Sequence, residues 1–245
     1  MELVHNTTTP DIETASDGYR SRFSGPVGAY FLEVQRRCIA ACLTPVGSRS
    51  LKILEVGGGH GQITEFLLQA GHEVWVQGSD AACFGRLEAL SAAYPGRLHF
   101  VTSSLWRIPF EDRTFDIVIA LRLMAHVERW RELLAEMARL AKVSVIVDFP
   151  AQSALNRLTP LLFRFKRQIE GNTRPYFSYS TATLAAEFKA LGLGQLHIEK
   201  QFSLPMGVHR GIASSSFSST VEEAARSLGL TALLGSPVVL CGTRS

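Results

Sequence analysis

Cysteine is scarce in this 245-residue chain. There are four, at Cys38, Cys42, Cys83 and Cys241, and no two form a Cys-x-x-Cys pair. That spacing excludes a zinc ribbon and a thioredoxin-like redox motif. Each cysteine sits among apolar residues, so reduced core thiols are expected, and no metal site is proposed. Long apolar runs are missing as well. None approaches the roughly 20 residues that span a bilayer as a helix, so no transmembrane segment is expected. The opening Met-Glu-Leu-Val-His-Asn lacks the charged-then-apolar pattern of a secretory leader, which makes the cytoplasm the expected location. Dense runs of one charge are absent too. The formal net charge is only +3, and nucleic acid is not an expected partner. No internal repeat appears. A chain of 245 residues that is 46% hydrophobic can bury a substantial core in one domain.

The most informative stretch is Ile-Leu-Glu-Val-Gly-Gly-Gly-His-Gly, from Ile53 to Gly61. Ile53, Leu54 and Val56 read as a strand buried on both faces. Glu55 lies near its end, and Gly57, Gly59 and Gly61 follow at every second position. Ile63, Phe66, Leu67 and Ala70 then share one face of a helix opening at Gln62. Glycines here let the backbone turn sharply and bring bare peptide against a ligand. A nucleotide-like molecule is the natural occupant. A dinucleotide fold needs G-x-G-x-x-G, with its last glycine where this chain has Gln62. The Gly-Lys-Ser/Thr of a P-loop is also absent. The remaining acid-x-G-x-G-x-G pattern suits a ligand without a pyrophosphate; taken alone, an ordinary glycine-rich turn is the alternative.

This pattern resembles motif I of the class I S-adenosylmethionine (SAM) methyltransferases, with Glu55 in place of the commoner Asp. The segment His72–Asp80 reads as a second strand ending in an acid. The resemblance implies that Asp80 accepts hydrogen bonds from the ribose hydroxyls, and an N-cap role for the following helix is compatible with that. Ile108-Pro109-Phe110 and Phe115-Asp116-Ile117-Val118 resemble the "L-P-F … F-D-x-V" segment of the ubiquinone/menaquinone C-methyltransferase-like branch. Met124-Ala125-His126-Val127 is similar to the family's step after the fourth strand. Glu136 and Arg139-Leu140 resemble its "E-x-x-R-x-L" helix, although the usual "K-P-G-G" turn after it is missing. Ser103-Ser104 stands where the family carries an acid for the adenine amino group. Ser104 and the amide of Leu105 are the remaining candidates for adenine. Upstream, Tyr19-Arg20-Ser21-Arg22-Phe23 resembles the segment that folds over the cofactor, with Tyr19 and Arg22 toward the methionine carboxylate; surface charge before a helix is an equally plain reading.

Strand patterns recur at Lys52–Val56, Val74–Gly78, Leu98–Thr102, Phe115–Leu121 and Val143–Asp148, with helices between. This predicts an α/β fold. Leu196–Phe202 and Val238–Thr243 complete a Rossmann-like, doubly wound sheet of seven strands. The resemblance implies that it is mostly parallel, with the last strand antiparallel beside the fifth. The chain reads as one domain, residues 1–245. Within it, 1–50 form an N-terminal arm and a helix (Gly28–Leu43) acting as a lid, and 51–148 form the cofactor-binding core. Insertions at 149–180 and 203–236 determine the substrate. They mix aromatics with arginines, which suits a planar, acidic or lipid-like small molecule, although Phe163-Arg164-Phe165 reads more readily as an alternating face, core on one side and solvent on the other.

Methyl transfer needs an acceptor held in line and, for an oxygen acceptor or an acidic carbon, a base. His126 is the leading base, since it follows the fourth strand where the methyl should point; a helix-start histidine bonding backbone is the alternative. His60 reads as lining of the glycine loop. Arg174, Tyr176, His209 and Arg210 are candidate substrate-binding residues, Arg210 for an acidic group. The expected activity is methylation of a small, partly apolar molecule by SAM, with O-methylation favoured slightly over C-methylation. An RNA or protein methyltransferase and a non-catalytic scaffold of the same fold are the alternatives.

Overall fold

Alternating apolar runs become the strands of one sheet, and the segments between them become its covering helices. The computed structural model describes residues 11–14, 16–44, 49–85, 87–152 and 176–244, with side chains except at positions 13, 14, 17 and 60. Short helices α1 (Asp11–Thr14) and α2 (Asp17–Arg20) precede the long α3 (Gly25–Leu43). Then come β1 (Lys52–Val56), α4 (Thr64–Gln69), β2 (Glu73–Gly78), α5 (Glu88–Ala93), β3 (Leu98–Thr102) and β4 (Phe115–Ala120). The second half holds α6 (Trp130–Leu140), β5 (Ala141–Phe149), α7 (Thr181–Ala190), β6 (Gln195–Phe202), α8 (Met206–Ile212), α9 (Ser215–Ser227), α10 (Leu230–Leu234) and β7 (Ser236–Thr243).

The strand order is β3-β2-β1-β4-β5-β7-β6. Neighbours from β3 to β5 pair in parallel, and β7 runs antiparallel to both β5 and β6. This is the expected doubly wound sheet, with the closing strand inserted beside the fifth. Side chains alternate across it. Leu54, Val56, Val118, Val145 and Val147 face α6 and α7 through Leu133, Leu134, Met137, Leu184 and Phe188. Ile53, Val74, Val76, Ile117 and Ile146 face the other layer, through Phe31, Ile39, Leu67, Leu68 and Leu87. The four cysteines are buried free thiols, as expected.

Helix α3 begins three residues before the predicted Gly28, because Pro26 fits the first turn, where its missing N–H costs nothing. The predicted helix after Asp80 divides into a 3-10 turn, Ala81–Phe84, and α5. The absent "K-P-G-G" turn has a direct substitute: α6 ends at Leu140 and β5 starts at Ala141, whose ψ of 129° switches the chain straight to extended backbone. The segment 203–236 is helical, forming α8 to α10. Among the described residues, no helix is long and apolar enough to cross a membrane. The run Leu161–Arg167 and Arg174 lie outside the described residues.

Candidate active site

Strand β1 runs into the glycine loop, where Gly57 (φ 63°) and Gly61 (φ 66°) are both left-handed. A Cβ at Gly57 would come within 3.1 Å of the Leu123 side chain and 3.3 Å of Asp11 Cβ. Glycine is needed there for both conformation and space. Gly59 is buried in the 3-10 turn between them. The loop is held from below by Gln77, which is fully buried near the end of β2. Its Oε1 accepts from the Gly57 amide at 3.1 Å, and its Nε2 donates to the Ser103 carbonyl at 2.7 Å. One amide side chain thus ties together the ends of β1 and β2 and the segment after β3.

Glu55 lies beneath the same loop, 2% exposed. Its Oε2 accepts from the Thr64 hydroxyl at 3.2 Å, while Oε1 has no hydrogen-bond partner among the described residues. Burial pushes the carboxyl up to about 8, with the Thr64 hydrogen bond opposing. Asp80 is exposed just past the end of β2, and one of its oxygens caps the next turn by accepting from Ala82 N at 2.8 Å. Ser104 is also exposed, its hydroxyl accepting from the Trp106 amide at 3.3 Å. The Leu105 side chain is buried in the core.

The N-terminal arm reaches this edge. Asp11 is fully buried, and its two oxygens accept from the Ser79 amide and the Ser79 hydroxyl, each at 2.6 Å. Helix α1 therefore packs on both the glycine loop and the residue before Asp80. Tyr19 is buried as well, and burial pushes its phenol up to about 12. Arg22 is exposed, with its guanidinium 5.5 Å from the Tyr19 ring.

Beyond β4, His126 sits half-buried on a 3-10 turn, Met124–His126. That turn is pinned from outside. The Tyr179 hydroxyl lies 2.9 Å from the Met124 carbonyl and 3.0 Å from that of Val127, and the Phe177 amide donates to Ala125 O at 2.8 Å. Tyr176, largely exposed, turns its ring edge-on to His126, 5.9 Å between centroids. Behind them Arg122, at the β4 end, donates its amide to Asp148 Oδ1 at 2.5 Å. Burial raises the pKa of Asp148, and Arg122 opposes the shift.

His209 is a correction. It is fully buried, with Nδ1 3.0 Å from Ser218 Oγ and Nε2 2.9 Å from Glu222 Oε1. Both ring nitrogens are committed inside the packing of α8 against α9, so it joins these helices rather than facing a substrate. Arg210 is exposed on the same helix. Gln77, Asp11, Arg122, Asp148 and Tyr179 are the site residues that sequence reasoning missed. For Asp148 a signal existed: like Asp80, it is an acid at the end of an apolar strand.

Residues 53–144 match the family model of a methyltransferase domain. Similar solved structures include magnesium protoporphyrin IX methyltransferase from Synechocystis with bound SAH (S-adenosylhomocysteine), at a TM-score of 0.65 and 15% identity, covering 95% of this chain and 96% of that one. A putative methyltransferase of Haloferax volcanii in complex with the Trm112 activator aligns at 0.60 and 13%, covering 96% and 97%. The 1,6-didemethyltoxoflavin-N1-methyltransferase of Burkholderia thailandensis, bound to 1,6-didemethyltoxoflavin and SAH, aligns at 0.57 and 15%, covering 86% and 78%. No curated protein matches the sequence. At these identities the structural likeness establishes the fold. Residues 53–144 therefore carry a methyltransferase domain, on the fold that holds SAH or SAM in the Synechocystis structures. The site fits SAM in one respect: Glu55 keeps one buried oxygen without a hydrogen-bond partner among the described residues beneath the glycine loop.

Proposed function

We propose that the enzyme methylates a small, partly apolar molecule, with a hydroxyl favoured slightly over a carbon as acceptor. The observation that carries this reading is the placement of His126. Its turn follows β4, is fixed by Tyr179 and Phe177, and stands beside Tyr176 at the strand edge that also bears the glycine loop. In this reading Gly57, Gly59 and Gly61 cradle the cofactor's amino-acid end, with Glu55 beneath. Tyr19 and Arg22 hold its carboxylate from the arm. Asp80 takes the ribose, since the Ala82 cap uses only one of its oxygens. Ser104 and the Leu105 amide meet the adenine.

Bound SAM supplies a methyl group already activated by its sulfonium. The chain's own task is to orient the acceptor, an effect that can supply roughly 7–11 kcal/mol, and to remove its proton. His126 holds that proton in the proposal, being the side chain best matched to neutral pH. Residues 1–50 act as the lid, and 149–180 with 203–236 select the acceptor, through Tyr176, Arg174 and Arg210. The contacts of Glu136 and Arg139 with the Ile108–Phe110 loop support a kinship with the ubiquinone/menaquinone branch at the level of framework. Action in the cytoplasm, without nucleic acid, belongs to the same proposal.

The test is His126→Ala, assayed by SAH release over a panel of hydroxylated acceptors and by calorimetric titration with SAM. Turnover should fall by about 10²-fold or more while SAM affinity holds. A fully active variant would retire His126 as base. Tight SAM binding with no turnover on any acceptor would favour the scaffold reading.

A further inference from the structure

Arg122 occupies a left-handed backbone position (φ 59°) that non-glycine residues rarely adopt. Its side chain is only 9% exposed. The conformation is locked by the 2.5 Å bond from its amide to Asp148 Oδ1. The guanidinium itself is poorly served. Nε lies 3.4 Å from Asp148 Oδ2, and neither Nε, Nη2 nor that carboxylate oxygen makes a hydrogen bond among the described residues. The remaining nitrogen, Nη1, reaches only the Met206 sulfur at 3.8 Å, a weak acceptor. The planar face rests on Phe23, 5.3 Å from the ring centroid.

A buried guanidinium with donors to spare is costly unless something accepts from it. Its surroundings are those of a ligand site rather than a sealed core. Tyr19 from the arm and Tyr176 from the segment before α7 both lie within the fields of Arg122 and Asp148. His126 is close enough to Asp148 to oppose the upward shift of its pKa. The cluster thus sets the Arg122 guanidinium against a carboxylate that burial disfavours as an ion. It stands four residues before the proposed base.

We propose that Arg122, backed by Asp148, receives a carboxylate or similar anionic oxygen of the methyl acceptor, so that acidic aromatic acceptors are preferred. The inference rests on the reading that places the acceptor beside His126. The fork of a guanidinium matches a carboxylate, and the rings of Phe23, Tyr19, Tyr176 and His126 suit a planar body behind it. The cofactor's own amino-acid tail carries the same chemistry, so the experiment must separate the two.

Benzoate and benzamide, equal in shape and different in charge, are titrated into the SAH-saturated protein. Benzoate should bind about tenfold or more tightly than benzamide, the size of a charge-assisted hydrogen bond. Arg122→Met should abolish that preference and Arg122→Lys should keep part of it. Asp148→Asn, which removes the competing charge, should strengthen benzoate binding, and this variant serves if Arg122→Met does not fold. Equal binding of the two probes, failure of both to bind, or a preference that survives Arg122→Met would overturn the proposal. SAH and 5′-methylthioadenosine, which lacks the amino-acid tail, form the second arm. If Arg122→Met weakens SAH and spares methylthioadenosine, the anion is the cofactor's and the acceptor assignment fails. Wild-type protein that binds neither adenosyl compound would instead refute the cofactor geometry on which the site is drawn.

Discussion

Glu55 shows how one residue serves a site at a cost to the fold. Its carboxyl is buried, raised to about 8 from 4.5, and supported by a single hydroxyl. Between those two values the folded chain binds more protons than the unfolded one. The stability Glu55 contributes is therefore fully present below about pH 4.5 and is lost as pH rises through 8. Glu55→Gln should flatten this slope, leaving the apo variant similar to wild type near pH 5 but more stable at pH 8.5, by an amount on the order of a few kcal/mol. Urea melts at the two pH values read it directly, and parallel slopes would mean that Glu55 stays ionised in the fold. Glu55 and Asp80 were legible because an acid at the end of an apolar strand is conspicuous. His126 and His209 show the limit of such reading. Both follow apolar residues near strand ends, yet one stands half-buried at the sheet edge and the other is enclosed by Ser218 and Glu222. No local pattern separates them, because the partners lie on a helix that the sequence does not advertise.

Among the elements, the turn carrying His126 owes its shape to a segment 50 or so residues further on. Tyr179 brackets it through two carbonyls, and burial keeps the phenol protonated by pushing its pKa up to about 12. Tyr179→Phe should cost about 1–2 kcal/mol of stability. It should also lower kcat with little change in the KM for SAM, since the glycine loop is held separately by Gln77. A matching rise in the SAM KM would show that the two loops are not independent. Elements with strong periodicity, such as β1, β4 and α6, were legible in outline. Helices α8 to α10 were not. Gly207 and Gly211 weaken α8, and α9 opens with Ser215, Ser216, Ser218 and Ser219, residues that favour turns and caps over helix interiors. What makes α9 a helix is a local cap, Ser214 accepting from Phe217 N, together with a tertiary tie, in which buried Glu222 binds the chain after β6 at Ser203 and Leu204.

For the molecule as a whole, the cofactor should act as a structural ligand, since the glycine loop, the Asp80 edge and the arm packed on Ser79 meet at one end of the sheet. SAH at about 100 times its Kd should add about 2.7 kcal/mol of stability, raising Tm by about 5–11 °C in a chain of this size. Differential scanning calorimetry measures it, and an unshifted Tm would mean that SAH does not bind the folded chain in preference to the unfolded one. Sheet order was legible because the glycine loop, the strand-end acids and the alternation of elements each constrain it. The N-terminal contact between Asp11 and Ser79 was not, since nothing in a polar arm indicates which amide 68 residues away it will bind. The strand order has a further consequence, for biosynthesis. Among its described neighbours in the sheet, β6 borders β7 alone, and β7 follows it in the chain. A nascent chain emerging vectorially can assemble β1 to β5, the part that carries the glycine loop and the His126 turn, while β6 waits without a strand to pair with. The helical cap built on β6 then settles only when residues 236–243 arrive, so translation completes this layer after the glycine-loop side of the sheet.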